Sequence, residues 1–466
     1  MKFDVLCTRP VIIDDKVKNV QLVKYVYDNQ TSEIFDEEGN LVKVRPFRKH
    51  DFKNHKQPHK TSAETPAGKK DIKTLKIQLG LSCNYSCEYC NQRFVPHADE
   101  SNLKYIDKFL ANLDLWLPEA PEEIEFWGGE PLVYYKTLKP LATEIRKKYP
   151  KASFTMITNA SLLTDEIIDW IEEMDFGIGM SHDGPGQNVR GPDPLENPEQ
   201  KKMIMKLFAR LFPKGKISFN SMVHRENLDR AKIQEFFENL LGKETMFNIG
   251  EGSFIDPYDE GGLANTLKGV EEHLAFRRVS MDALRTGRAN RFTVTHERLT
   301  DWLDSWGNLR PSNMVGQKCG MDDESKIAVD LRGNVLTCQN VTTAATAPNG
   351  NQHVIGHVSK LDEVKLNTAT HWSFRDKCNN CPMLQVCKGS CMFLQGEMFD
   401  VACDNAYSDH LPFFATAFEM ATGALPIGVV GLGYDLPEDR MDFWGNMDVH
   451  IDLPPTRKIA RETNAI

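Results

Sequence analysis

The sequence predicts an α/β protein: a parallel sheet or barrel, preceded by a small β appendage and followed by a cysteine-rich region. Three observations lead there. From about residue 73, short apolar runs alternate with helical stretches, the pattern of repeated βα units. The polar, basic stretch RKHDFKNHKQPHKTSAETPAGKK over 48–70 carries Pro58 and Pro66 and has the composition of a linker. Of the 11 cysteines all but Cys7 fall into two groups, one early in the βα series and one after it.

In chain order, QLVKYVYD and NLVKVRPF within 20–46 read as a β-hairpin or small sheet joined through Glu38, Gly39 and Asn40. After the linker come the strand LKIQLGL, a helix around Tyr105 to Trp116, the strand of IEFWGGE and a helix at Leu138 to Lys148. SFTMITNA, Asp165 to Met174, FGIGMSHDG, Lys201 to Leu211 and ISFNSMV continue the alternation. Right-handed crossovers bring the strand C-termini together, and in a parallel barrel the loops on that face build the site. KIAVDLRGNVLTCQN reads as a hairpin turning at Arg332 and Gly333. One helix and an irregular tail are expected over 411–466. The expected divisions are 1–72 (β appendage and linker), 73–305 (core), 306–410 (cysteine-rich domain) and 411–466 (helix and tail).

A chain of 466 residues, 41% hydrophobic and 26% charged, has the composition of a globular protein of more than one unit. Its formal charge of -10 argues against broad capture of nucleic acid, which needs many phosphate-binding cations. No apolar run approaches the roughly 18 residues of a membrane span; the best, Ala424 to Val430, is interrupted by Pro426 and Gly428. MKFDVLCTRPVIIDD lacks the features of a secretory signal, so a cytoplasmic location is expected. In that reducing compartment clustered thiols are metal ligands or catalytic groups more often than disulfides.

LGLSCNYSCEYCNQ sets Cys83, Cys87 and Cys90 at C-x3-C-x2-C directly after the first strand of the series. Thiolates suit zinc or iron-sulfur clusters, and three cysteines on a four-iron cluster leave one iron open. Zinc would want a fourth protein ligand, for which His97 is the nearest candidate. The following strand ends in EFWGGEP, where the glycines allow close backbone approach and Glu130 can accept hydrogen bonds from an ammonium.

The cysteine spacing, with Tyr89 before the third cysteine, and Gly128, Gly129, Glu130 and Pro131 as a GGEP motif resemble the radical S-adenosylmethionine (SAM) superfamily. The resemblance implies a partial (β/α)6 TIM-like barrel and SAM held on a 4Fe-4S cluster by Cys83, Cys87 and Cys90. Thr158 and Asn159, Ser181 and Asp183 resemble family segments near the ribose and carboxylate of SAM, and Arg190 lies where relatives often carry an arginine for that carboxylate. The spacer GQNV before Arg190 is shorter than in those relatives.

Downstream, Cys319, Gly333 and Cys338 precede Cys378, Cys381, Cys387, Cys391 and Cys403. The spacing alone leaves zinc knuckles open. The whole pattern resembles the SPASM domain, which implies two auxiliary iron-sulfur clusters: an outer one on Cys378, Cys381, Cys387 and Cys403, and an inner one on Cys319, Cys338 and Cys391. The inner set is one ligand short, and Asp322, Asp323, solvent or substrate are the candidates to complete it. The function so implied is reductive cleavage of SAM to a 5'-deoxyadenosyl radical and modification of a peptide or protein by hydrogen abstraction, with flavodoxin or ferredoxin as electron donor. Formylglycine formation in a sulfatase and a small-molecule substrate are the alternatives, and a zinc-stabilised binding protein the remote one.

Overall fold

A computed structural model describes residues 1–13, 16–97 and 103–445. Strands β1 (Lys2–Ile13), β2 (Lys16–Asp28) and β3 (Glu33–Phe35) precede β4 (Thr74–Gln78), α1 (Leu103–Trp116), β5 (Glu123–Trp127), α2 (Tyr135–Lys148), β6 (Ser153–Thr158) and α3 (Asp165–Glu173). Then follow β7 (Phe176–Ser181), α4 (Pro198–Leu211), β8 (Ile217–Val223), α5 (Arg230–Leu241), β9 (Ile249–Phe254), α6 (Glu260–Ala264), α7 (Gly269–Arg285) and α8 (Thr293–Gly307). The C-terminal region adds β10 (Lys326–Asp330), β11 (Asn334–Leu336), β12 (Val354–His357), α9 (Asp376–Asn379), α10 (Leu384–Cys387), α11 (Gly396–Thr422), β13 (Leu425–Gly431) and α12 (Glu438–Met441).

β4 to β9 pair in sequence order, all parallel, as the partial (β/α)6 barrel requires. Apolar side chains alternate along β5 and β7 with Phe126 and Phe176 fully buried, and each connecting helix turns an apolar stripe inward, as α3 does with Ile167, Ile168 and Ile171. Thr164 caps α3 by accepting from the Ile167 amide, and Asn197 caps α4. The barrel sheet does not end at β4. β10 pairs with it in parallel, and β11 and β12 extend the same sheet antiparallel, so the cysteine-rich region is sewn to the barrel by a continuous ladder.

Three sequence expectations are corrected. The N-terminal hairpin runs from β1 to β2, and NLVKVRPF forms no strand beyond an isolated bridge at Leu41, since β3 pairs β2 over three residues and then turns away. The appendage is completed by β13, which pairs antiparallel with β1, so the apolar run at 424–430 is a sheet strand. The boundary expected at 410/411 falls inside α11, one 27-residue helix that packs on α7 and α8. Among the described residues no helix is long and apolar enough to cross a membrane. The expected tail from residue 446 onward lies outside the described residues.

Aromatic side chains seal the appendage to the barrel. Trp302 and Trp306 on α8 stack at 5.1 Å between centroids, and Tyr27 of β2 and Phe414 of α11 approach each other at 5.8 Å beside them.

Candidate functional site

The loop after β4 carries the first three thiols. Its backbone is pinned to the loop after β5: the Gly129 amide donates to the Gly80 carbonyl at 3.0 Å and the Glu130 amide to the Ser82 carbonyl at 3.0 Å. A Cβ on Gly129 would lie 2.3 Å from the Leu81 carbonyl oxygen, so only glycine lets the two loops meet. Cys83, Cys87 and Cys90 line one cavity, with about 2290 Å³ of open space, and Tyr89, Gly128, Gly129, Glu130, Thr158, Asn159, Ser181 and Arg190 share its wall. The Tyr85 amide lies 3.3 Å from the Cys83 sulfur and the Gln92 amide 3.4 Å from that of Cys90, donors suited to thiolates.

Glu130 does not stand open to an incoming ammonium. It is buried, and its carboxylate accepts from the Leu132 amide at 3.0 Å, the Thr158 hydroxyl at 2.7 Å and the Asn159 amide at 2.7 Å. It therefore ties the GGEP loop to the end of β6. Burial pushes its carboxyl up, and those donors oppose the shift. Pro131 starts the buried turn that follows. Asn159 in turn donates to Asn84 at 2.9 Å and lies 4.0 Å from the Cys83 sulfur.

Asp183 is likewise withdrawn. Fully buried, it accepts from the Tyr89 hydroxyl and from the Met222 amide at 2.9 Å, and Arg190 lies 3.7 Å away. Arg190 also donates to the Tyr89 oxygen at 2.9 Å. Asp183 thus orients Tyr89 and Arg190 from behind. The Nε of Arg190 is buried with no partner among the described residues, a free cationic donor in the wall that carries the thiols, which fits an anionic group such as a carboxylate. His182 is structural, bridging Asp193 at 3.0 Å and the Gly184 amide.

The second group of thiols divides in space. Cys378, Cys381, Cys387 and Cys403 ring a separate pocket with about 360 Å³ of space, closed by Met383, Leu384 and Phe399. Helices α9 and α10 and the left-handed turn at Lys388 and Gly389 aim three of them inward, and α11 supplies the fourth. Cys319 opens into the first cavity, with Gln339 and Asn340, next to Cys338, in the same wall. Burial pushes the Cys319, Cys338 and Cys381 thiols up to about 12, and neighbouring thiols add to the shift. Such crowded sulfurs resist ionisation on their own and are suited to a cationic metal-sulfur core. Among the described residues no three His, Cys, Asp or Glu side chains close on the position of a single ion; the thiols ring spaces instead. Of the two aspartates considered for the inner set, Asp323 accepts from the Ser325 amide and hydroxyl, and both line another cavity, with Lys56 and His59.

The sequence missed two features. Gln78, at the end of β4, donates to the Gln339 carbonyl at 2.8 Å and the Val341 carbonyl at 2.5 Å, locking the segment after Cys338 to the barrel mouth. Glu251 enters the first cavity from β9 with φ +61°, beside Gly252 at +75°. A Cβ on Gly250 would meet Asn220 at 2.3 Å and one on Gly252 would meet Phe292 at 2.5 Å. The β8–β9 register shifts at this point, and no protein donor reaches the Glu251 carboxylate among the described residues. The G-E-G triplet was the available signal.

Residues 77–237 match the family model of the radical SAM superfamily. The chain is 20% identical to the radical SAM cyclopropyl synthase TigE of Paramaledivibacter caminithermalis, over 79% of this chain and 78% of that one. It is 24% identical to a cysteine-type anaerobic sulfatase-maturating enzyme of Clostridium perfringens, over 72% of this chain and 93% of the relative. The structure of native anSMEcpe with bound AdoMet and Cp18Cys peptide superposes with a TM-score of 0.51 at 18% identity, covering 75% of this chain and 99% of that one, and so shares the fold.

Proposed function

We propose, from the premise that this chain is a radical SAM enzyme related to sulfatase-maturating and peptide-modifying enzymes, that it modifies a peptide or protein side chain or backbone by hydrogen abstraction. The observation that carries the reading is the single cavity lined together by the C-x3-C-x2-C thiols, the GGEP backbone and Arg190. Cys83, Cys87 and Cys90 would hold the four-iron cluster, and the outer quartet and the inner trio of thiols would hold two auxiliary clusters. Held by Cys83, Cys87 and Cys90 and reduced, such a cluster would supply the electron for reductive cleavage of SAM to methionine and a 5'-deoxyadenosyl radical.

The chain's own residues do the positioning. Arg190, oriented by Asp183 and Tyr89, would receive the SAM carboxylate on its free donor, and the Gly128–Gly129 backbone would lie along the amino group. The cavity continues past this region to Glu251, Lys318 and Cys319, leaving room for a substrate segment between the SAM residues and the inner thiols. A peptide substrate is supported by the peptide in the anSMEcpe complex and by the anaerobic sulfatase-maturating relatives, which also favour formylglycine formation as the second reading. A flavodoxin or ferredoxin would supply the electron.

Anaerobic reconstitution tests this. The wild-type chain should take up about twelve irons and, with SAM and a reductant, release 5'-deoxyadenosine. Changing Cys83, Cys87 and Cys90 together to Ala should abolish the deoxyadenosine and leave about eight irons. Zinc in place of iron, or deoxyadenosine from the triple variant, would sink the proposal.

A further inference from the structure

The C-terminal segment after β13 folds back over α11 and delivers one cation to the outer thiols. Arg440, on α12, is buried, with its Nη2 3.3 Å from the Cys403 sulfur and 2.5 Å from the Asp404 carboxylate. Its placement is enforced. The Tyr407 hydroxyl donates to the Arg440 carbonyl at 2.8 Å, the guanidinium lies 5.0 Å from the Tyr407 ring centroid, and Arg277 donates to the Asp439 carbonyl at 2.9 Å. Tyr407 itself lines the pocket of Cys378, Cys381, Cys387 and Cys403.

We infer that Arg440 sets the reduction potential of the outer cluster, an inference that rests on the reading of those four thiols as its ligands. Reduction adds one electron to a core already surrounded by thiolates, in a pocket closed mostly by apolar side chains. A guanidinium donating to one ligand sulfur stabilises that added charge and raises the potential, because hydrogen bonds to sulfur and local net charge are principal determinants of cluster potentials. The guanidinium is a cation before and after, so no proton accompanies the electron. Asp404 works in opposition, holding a negative charge beside the same cation.

The test uses the full chain with Cys83, Cys87 and Cys90 changed to Ala, so that only the C-terminal thiols hold clusters, and follows reduction by EPR at controlled potentials. Two one-electron waves are expected. Arg440→Gln should move one of them to lower potential, by about a tenfold change in the ratio of reduced to oxidised cluster, about 59 mV, and leave the other in place. Arg440→Lys, which keeps the charge, should retain part of the potential. Asp404→Asn, at a half-exposed position, should move the same wave upward. Unchanged waves in Arg440→Gln at full iron content overturn the inference. Should that variant lose iron, Asp404→Asn decides, and no upward shift overturns it. Zinc in the parent chain instead defeats the reading of the ligands, a result separate from either.

Discussion

Glu251 holds a left-handed backbone conformation that costs a residue with a Cβ about 1–2 kcal/mol. It does so in a strand where its neighbours are glycines, and its carboxylate hangs in the cavity without a protein donor. The side chain keeps access to the cavity's open space, but the surrounding walls desolvate the carboxyl and push it above its usual range, with nearby Lys318 opposing. Between the unfolded and the raised folded value the folded state binds the proton more tightly, so Glu251's contribution to stability falls as pH rises through that window and the deficit is full above it. Glu251→Gly should therefore stabilise the protein at neutral pH, by about 1 kcal/mol from the backbone alone, read as a higher urea midpoint. Glu251→Gln should gain over wild type progressively as pH increases. A loss of stability in both would show that the side chain is a structural contact. The contrast with the cysteines explains what was legible at this scale. Their spacing is local and their chemistry intrinsic, whereas the roles of Glu130 and Asp183 depended on which amides and hydroxyls fold against them, so two carboxylates expected to meet a ligand are taken up by donors of the chain itself.

Helix α11 shows the same limit one level up. Its helical character could be read from FFATAFEMATGALP, but its start at Gly396 and its partners could not. Buried at its centre, Asp409 pairs with Arg230 of α5 and, at 2.9 Å, with Arg298 of α8, and accepts from the Phe254 amide of β9 at 3.1 Å. One carboxylate thereby joins the helix that carries Cys403 to the strand that carries Glu251. Burial opposes its ionisation, yet the two guanidiniums hold the carboxyl far below the usual carboxylate range. The stabilisation is then fully present above the unfolded value of about 4 and is lost only as pH falls toward the depressed folded value. Asp409→Asn leaves two buried cations uncompensated and should cost about 3–5 kcal/mol, measured by denaturant unfolding at pH 7. A cost under about 1 kcal/mol would mean that solvent already screens the pair. No periodicity announces this link, because Asp409 lies more than a hundred positions from either arginine in the chain.

Over the whole molecule, the βα alternation was legible because each unit buries its own local apolar stripe, whereas the two long-range sheet junctions were not. β13 closing on β1, and β10 closing on β4, pair residues hundreds of positions apart. The second junction has a measurable consequence for how the protein would depend on bound clusters. β10 to β12 belong to the ladder of the barrel sheet, with Ile327, Val329 and Val335 fully buried in the common core. The segment from 376 to 395, by contrast, has two helices of four residues each, too short to persist on their own, wrapped around a pocket ringed by thiols. Stripping iron anaerobically with a chelator under reducing conditions should therefore unfasten the molecule unevenly. Amide hydrogen exchange followed by mass spectrometry should show peptides covering 326–336 protected to the same degree with and without iron, while those covering 376–395 lose protection by an order of magnitude or more. Equal loss in both would make the cysteine-rich region one unit folded by metal, and the ladder to β4 too weak to hold it. Equal retention would mean that the apolar wall of Met383, Leu384 and Phe399 alone keeps the thiols in place.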